Sequence, residues 1–370
     1  MFVKSLELNN FRNYNDLSIE LSENTNIFYG DNAQGKTNIL EAIYLASTTK
    51  SHKGSKDREI IKLDKDESHI RMILSRDGID HRIDMHLKKN KPKGVAIDGL
   101  PIKKSADLFG IVNVVSFSPE DLSIIKSGPS ERRRFIDMEL CQLDKIYLHN
   151  LINYNKVLNQ RNNLLKQLVF KQNLLDTIYV WDEQLITFGK KLIETRELFI
   201  KKLNEIVVEI HKKLSSGKET LTVSYEPNVS FDDFSNKLQT SLQRDIALKV
   251  TNYGPHRDDL SFKINDVDIR KFGSQGQQRT SALSLKLAEI EMVKNTIDDN
   301  PILLLDDVLS ELDRNRQTEL LSSIDNIQTI VTCTGMEEFV NSRVQTEKVF
   351  QVTNGTVKEQ IDICGKKAGG

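Results

Sequence analysis

The chain predicts an α/β fold: a P-loop head built from both chain ends, with an antiparallel sheet set into it and a helical-hairpin second lobe inserted between. Three observations point there. Gly30-Asp31-Asn32-Ala33-Gln34-Gly35-Lys36-Thr37 fits G-x-x-x-x-G-K-[ST], follows the apolar run Asn26-Ile27-Phe28-Tyr29 and enters Asn38-Ile39-Leu40-Glu41-Ala42-Ile43, the strand–loop–helix setting a P-loop needs. Almost a whole chain later, Ile302-Leu303-Leu304-Leu305 reads as a buried strand ending in Asp306 and Asp307. Between them, about 130–214 nearly lacks Gly and Pro and repeats apolar residues at helical spacing.

In chain order, 2–9 and 17–29 read as strands and 38–47 as the helix after the loop. From about 69 to 117, short strands alternate with the turn signals Asp77-Gly78, Pro92-Lys93-Gly94 and Asp98-Gly99, which predicts a small antiparallel sheet. Two long helices joined near 171–178 follow, an αα-hairpin with no heptad pattern sustained enough for a long coiled coil. Leu221–Tyr225 is a strand, 231–249 a helix, and 260–264 with 267–269 a hairpin around Asn265-Asp266. A helix over 277–294, the strand 302–305, a helix around 313–323 and the strand 329–331 complete the reading. The head then comprises 1–128 and 245–370, and 129–244 is the mainly helical lobe.

With 370 residues the chain is long enough for two lobes, and 38% hydrophobic with 28% charged residues is a globular composition. No apolar run approaches the roughly 20 residues that span a bilayer, and Met1–Glu7 alternates like a strand where a signal peptide is apolar. Membrane roles are thus disfavoured. Cys141, Cys333 and Cys364 show no ligand spacing, which fits a reducing, cytoplasmic setting without disulfides or zinc. The net charge of −1 supplies no global pull on nucleic acid, so any such contact needs local basic patches.

Each motif implies chemistry. Loop amides and the helix N-terminus surround phosphates, Lys36 neutralises outer-phosphate charge, and the Thr37 hydroxyl sits on Mg²⁺. Asp306 is placed for the magnesium shell and Asp307 to orient or deprotonate an attacking water. Ser274-Gln275-Gly276-Gln277-Gln278, directly before a helix, is a second anion-binding turn; a plain capped loop is the alternative. Arg12, just after the first strand, is a candidate for nucleotide contact or for a simple ion pair. His52 is read as a solvated histidine.

Gly30–Thr37, Ser274–Gln278, Leu303–Asp307 and Ser310-Glu311-Leu312-Asp313 look like the Walker A, signature, Walker B and D-loop elements of ABC-type ATPases. Further segments narrow the likeness: Asn10-Phe11-Arg12-Asn13-Tyr14, Ser51-His52-Lys53, Phe117–Leu122, Arg132–Asp137, Gly254-Pro255-His256-Arg257-Asp258-Asp259 and Gly273–Arg279. In this order, over most of the chain, they resemble the RecF family of bacterial recombination mediators. The resemblance implies ATP held by the P-loop of one subunit and capped by Ser274 to Gln277 of another. It also implies a homodimer formed with ATP, and binding at single-strand/double-strand DNA junctions and gaps. Recombinase loading with mediator partners, and weak DNA-stimulated hydrolysis, complete what it implies. Two departures from the ABC pattern stand out: Thr332-Cys333-Thr334 occupies the place of the usual histidine, and Ser116–Asp121 has no glutamine.

Basic clusters offer candidate DNA contacts: Lys53 and Lys56 after the P-loop helix, Lys88, Lys89, Lys91 and Lys93 on the antiparallel sheet, and Arg132, Arg133 and Arg134 at the helical lobe. Interleaved aromatics are scarce, so backbone contact without sequence readout is expected. A transporter subunit and a chromosome-structural ATPase fit less well, the latter for lack of hundreds of coiled-coil residues. An ATP-binding assembly module without significant turnover remains the alternative.

Overall fold

The computed structural model describes residues 1–324, 326–335 and 346–360; Cys364 lies outside them. The chain divides into two compact units, Met1–Asp121 with Glu289–Gly370, and Leu122–Ala288. The first segment gives β1 (Phe2–Phe11), β2 (Tyr14–Glu20), β3 (Thr25–Tyr29), α1 (Lys36–Thr48), α2 (Asp57–Ile60), β4 (Glu67–Arg76), β5 (Ile79–Lys88), β6 (Lys91–Ile97), β7 (Leu100–Pro101) and β8 (Val114–Phe117). The inserted unit contains α3 (Leu122–Lys126), α4 (Pro129–Leu143), α5 (Lys145–Leu168), α6 (Ile178–Leu214), β9 (Leu221–Glu226), α7 (Phe234–Thr240), α8 (Leu242–Leu248), β10 (Asp259–Ile264), β11 (Val267–Asp268) and α9 (Ile269–Phe272). Next, α10 (Gln275–Ile297) leads the chain back to β12 (Ile302–Asp306), α11 (Arg314–Ser323), β13 (Thr329–Cys333), β14 (Thr346–Thr353) and β15 (Thr356–Glu359).

In the first unit, β2-β1-β4-β5-β6-β7 form an antiparallel sheet and β15-β14-β3-β13-β12-β8 a second one, parallel except at the β14–β15 hairpin. Helix α1 contacts β4 and β5 of one sheet and β8, β12 and β13 of the other. This explains its sequence: Ile39, Leu40, Ala42, Ile43, Leu45 and Ala46 are all buried, because neither side faces water. Each such Leu or Ile contributes about 1.5–3 kcal/mol relative to exposure. Central strands of the parallel sheet are apolar on both faces, as Ile302-Leu303-Leu304-Leu305 shows.

Several expectations need correction. Residues 114–117 join the parallel sheet beside β12, not the antiparallel one, since Val114 and Val115 are buried on both faces. The 17–29 segment splits into β2 and β3, which lie in different sheets. The 231–249 helix is broken at Ser241 into α7 and α8, and Ile269 starts α9 instead of ending a strand. The second unit continues to Ala288, past the expected boundary at 244, because β10 pairs along its length with β9 and keeps that segment in the inserted unit. The hairpin β14–β15 carried too weak an alternation to be read beforehand.

In the second unit α5 packs on α6, and their connection is a short 3-10 helix over Gln172–Thr177. Three arginines are buried in it, each matched to carboxylates: Arg132 to Asp259, Arg161 to Asp182 and Asp245, Arg196 to Asp137 and Asp258.

Candidate nucleotide site

The parallel sheet positions the site. Register pairs Tyr29 with Cys333, Asp306 with Thr332 and Leu305 with Phe117, so the P-loop, both aspartates and Thr332 leave the sheet at its carboxyl edge. Ligands of open α/β sheets bind at that edge.

The loop needs glycine at two places. Gly30 has φ 151° and an added Cβ would stand 2.3 Å from the Val352 carbonyl oxygen; Gly35 has φ 114° and its Cβ would stand 2.5 Å from the Asn13 side chain. Two turns brace the loop from outside. The Asn13 amide donates to Gln34 O at 2.8 Å and accepts from Asn38 Nδ2 at 2.8 Å, while Tyr14 OH donates to Gly35 O at 3.0 Å. Burial pushes the Tyr14 phenol well above its ordinary pKa, so it stays a neutral donor. From the β14–β15 turn, Asn354 N and Gly355 N donate to Gln34 Oε1 and O at 2.6 and 3.1 Å.

Inside this frame Lys36 is 4% exposed, and its ammonium donates to the carbonyls of Gly30 and Asp31 at 2.6 and 3.0 Å. Helix α1 begins at Lys36 with Gly35 as its N-cap, and no side chain caps it. Across the loop, Thr37 Oγ1 and Thr332 Oγ1 both donate to Asp306 Oδ1, at 2.8 and 2.7 Å. The Thr332 hydroxyl also accepts from Asp307 N at 3.1 Å. Asp307 has φ 52°, in the left-handed region that aspartate and asparagine enter more readily than other non-glycine residues. The residue in the place of the usual histidine thus braces both aspartates.

Arg12 forms the ion pair. Its guanidinium donates to both Glu41 oxygens at 2.8 and 2.7 Å, to Ser55 Oγ at 2.6 Å and to Glu59 O at 2.8 Å. Glu41 is fully buried on α1; burial alone would raise its pKa, but hydrogen bonds from Arg12 and Ser51 and the Arg12 charge bring it below the ordinary value. Arg12 is therefore part of the seat of α1, behind the P-loop. His52 is largely buried against Tyr44, and desolvation lowers its pKa, so it is not the solvated histidine expected.

In the second unit, the loop before α10 closes on itself. Ser274 Oγ accepts from Gln277 N at 3.2 Å, and Gln277 Oε1 accepts from Ser274 N at 2.9 Å, a reciprocal capping box. Ser274, Gln275 and Gly276 are exposed.

Candidate DNA contacts divide sharply. Lys53, Lys56, Lys89, Lys91 and Arg134 are exposed; Lys88 is half-exposed beside Glu67 and Lys89 pairs with Asp66. Arg132 is not a DNA contact: it is 1% exposed, clasped by both Asp259 oxygens and bonded to Ser127 O. Lys93 is held by Asp57 and Thr49 O at 2.7 and 2.6 Å, and Arg133 donates to Asp258 O at 2.6 Å. A basic run looks alike in sequence whether its charges face water or a carboxylate brought from elsewhere in the chain. Asn354, and the bracing contacts of Asn13, Glu41 and Thr332, carried no local signal for the same reason.

The RecF/RecN/SMC N terminal domain family model matches residues 2–358. A DNA replication and repair protein RecF of Lachnoclostridium phytofermentans is 72% identical over 359 residues, 97% of this chain and 100% of that one. The chain belongs to the RecF family. A RecF protein of Clostridium botulinum is 47% identical over 97% of this chain and 100% of its own. Among solved structures, the recombination mediator protein RecF-ATP in the RecFOR pathway superposes with a TM-score of 0.91 at 35% identity, covering 97% of each chain. The Smc head domain derived from Pyrococcus furiosus superposes with a TM-score of 0.56 at 16% identity over 97% of this chain and 96% of its own, which shows the shared head fold alone. No helix among the described residues is long and apolar enough to cross a membrane.

Proposed function

We propose that this RecF-family chain is a cytoplasmic, ATP-switched DNA-binding protein of recombinational repair and replication restart. Its relatives' names, and the solved RecF-ATP structure of the RecFOR pathway, support ATP as ligand and DNA repair as setting. The observation that carries the reading is the convergence of Lys36, Thr37 and Asp306 at one sheet edge. Lys36, curled onto the loop carbonyls, extends to outer phosphates when a nucleotide displaces those bonds. The Thr37 hydroxyl and the Asp306 carboxylate are hard oxygen donors suited to Mg²⁺, which would neutralise phosphate charge. Arg12 supports α1 and reaches nucleotide only by releasing Ser55 or Glu59.

ATP held by Gly30 to Thr37 of one copy is capped by Ser274, Gln275, Gly276 and Gln277 of a second copy, so the dimer reports triphosphate against diphosphate. The clamp holds DNA at single-strand/double-strand junctions and gaps through exposed lysines, and works with recombination mediator partners to load recombinase. Slow hydrolysis, with Asp307 orienting water, opens it. Sedimentation with ATP, with ADP and with neither tests this: a dimer that needs ATP is expected, lost in both Lys36→Met and Ser274→Arg. A dimer that ignores nucleotide, or survives both substitutions, removes the reading. Steady-state phosphate release that persists unchanged in Asp307→Asn means that Asp307 is not the water-orienting group, and no release above background from the parent chain favours an assembly module without significant turnover.

A further inference from the structure

Outside the P-loop unit, a buried histidine paired with a half-buried glutamate has no part in the reading above. His211 lies in the last turn of α6 and is fully buried; Glu219 lies five residues after that helix ends. His211 Nε2 is 3.3 Å from Glu219 Oε2, and Gln277 Nε2 donates to the other oxygen, Glu219 Oε1, at 2.9 Å. On its far side His211 Nδ1 meets Ser284 Oγ of α10 at 2.8 Å. Glu219 is itself anchored: its backbone N donates to Ser215 Oγ at 3.3 Å.

Gln277 is the hinge of this chain of bonds. Its amide oxygen accepts from Ser274 N while its amide nitrogen reaches Glu219. A glutamine amide turned by 180° would present nitrogen to the Ser274 N–H, donor against donor, and oxygen to a carboxylate, acceptor against acceptor. Glu219 accepts only, so it permits one orientation. That orientation closes the capping box, and the box sets where the Ser274 hydroxyl and the first-turn amides of α10 point.

We propose that Glu219, held by His211, is a positioning residue for the signature serine. It aligns Gln277, and through it Ser274, for the triphosphate of a second copy. The inference rests on the reading of Ser274 as a cap in trans. His211 belongs to the 37-residue helix α6, so the pair also ties the end of the lobe's longest helix to the start of α10.

The test is a charge-and-amide exchange read by ATP-driven dimerisation. Glu219→Ala is expected to raise the ATP concentration needed for dimerisation by about tenfold or more, the size of one hydrogen bond to a charged group. ADP affinity of the single subunit stays unchanged, because the P-loop lies in the other unit. Gln277→Glu sets two carboxylates against each other and is expected to do the same. Combined with Glu219→Gln it restores a donor facing an acceptor, and dimerisation returns to within about threefold of the parent. Thermal unfolding of each variant separates positioning from folding: a purely structural pair would lower the melting temperature without moving the dimerisation midpoint in the folded protein. Failure of the exchange to rescue, or an unmoved midpoint in Glu219→Ala, overturns the inference. Ser274→Arg run alongside keeps the two levels apart. If it still dimerises with ATP, the cap in trans is wrong; if it does not and the exchange fails, only the positioning role is wrong.

Discussion

The loop before α1 and the loop before α10 both bring backbone N–H groups to the start of a helix, but they differ in what already covers those groups. No side chain caps α1; its N-cap is Gly35, and the nearby Asn13 and Tyr14 bond to the loop's carbonyls. Helix α10 is closed by Ser274 and Gln277, which satisfy each other. A helix start carries unpaired donors and a partial positive charge unless something answers them. The first loop thus leaves its helix-start donors uncapped, and the second is a self-satisfied turn; on the proposed reading the first cradles an anion and the second exchanges internal bonds for external ones when a second copy brings its nucleotide. The same division separates ligand-ready from internally occupied groups elsewhere in the molecule.

The largest expected effect breaks the comparison at its glycines. Gly30→Ala forces a Cβ onto the Val352 carbonyl at φ 151°, so nucleotide binding by the single subunit should fall below detection, with stability lowered by several kcal/mol, on the order of other severe strain. Gly276→Ala meets nothing nearer than Ser274 Oγ at 3.9 Å. It should leave ADP affinity intact and stabilise α10 by up to about 1 kcal/mol, since Ala is the better helix former. ATP-driven dimerisation is expected to weaken, because only glycine lets another molecule's phosphate approach that backbone closely. Calorimetric titration with ADP and sedimentation with ATP read both. Equal behaviour of the two substitutions in ADP binding would end the distinction between the loops.

Next comes the buried pair behind the P-loop. Arg12→Ala leaves Glu41 charged and fully buried, a loss of about 3–5 kcal/mol for breaking such a pair from one side. Urea unfolding measures it, and Arg12→Ala with Glu41→Gln should recover a large part. If Arg12 served the nucleotide alone, stability would not change and ADP affinity would drop instead.

These outcomes bear on what the sequence could and could not disclose. Gly30–Thr37, the acidic strand and the loop before α10 announce themselves because their chemistry is local: a glycine spacing, an apolar run, a serine before a helix. Arg12–Glu41 and Arg132–Asp259 join residues 29 and 127 positions apart, and no local pattern names the partner. The Arg132–Arg134 run therefore read as a phosphate-facing patch when its first member is core. Likewise 114–117 read as part of the antiparallel sheet by proximity in sequence, whereas the burial of both faces put it in the parallel one. The boundary at 288 depended on β10 finding β9, again a long-range pairing.

Acid should separate the two units. His256 Nε2 donates to Thr251 O at 3.0 Å, so the neutral ring's Nδ1 accepts from Tyr154 OH at 2.7 Å; burial depresses its pKa to about 4. An unfolded histidine titrates near 6.5, so the unfolded state binds more protons between those values. Stability from this group is full above about pH 6.5 and declines as pH falls toward 4, by about 3 kcal/mol in all. Glu41 is also depressed, but its contribution is lost only below the ordinary carboxylate value of about 4.3. His52 beside α1 is lowered too, but His256 carries the larger shift, so the second unit should loosen more on acidification. Hydrogen exchange at pH 7 and 5 reads this: protection around Tyr154 and His256 should fall further than that of α1. His256→Gln should flatten the pH dependence above 5, and uniform loss across both units would contradict the assignment.

The smallest effect tests the same division on the surface. Lys91 is exposed, whereas Lys93 two residues on is 17% exposed and clasped by Asp57. If DNA is tracked by open charges, Lys91→Glu should weaken duplex binding equally across sequences and reduce the slope of log affinity against log salt by about 1, the signature of one lost phosphate contact. It should not alter stability by more than about 0.5 kcal/mol, as for other surface substitutions. Lys93→Glu should behave in reverse: it puts a second carboxylate against Asp57 and lowers stability, while the salt slope of the folded fraction stays where it was. Fluorescence anisotropy across a salt series with a labelled gapped duplex measures both. A salt slope that responds to Lys93 but not to Lys91 would mean that the internally held lysine is released to DNA, and that occupancy in the isolated chain does not mark which groups a ligand takes.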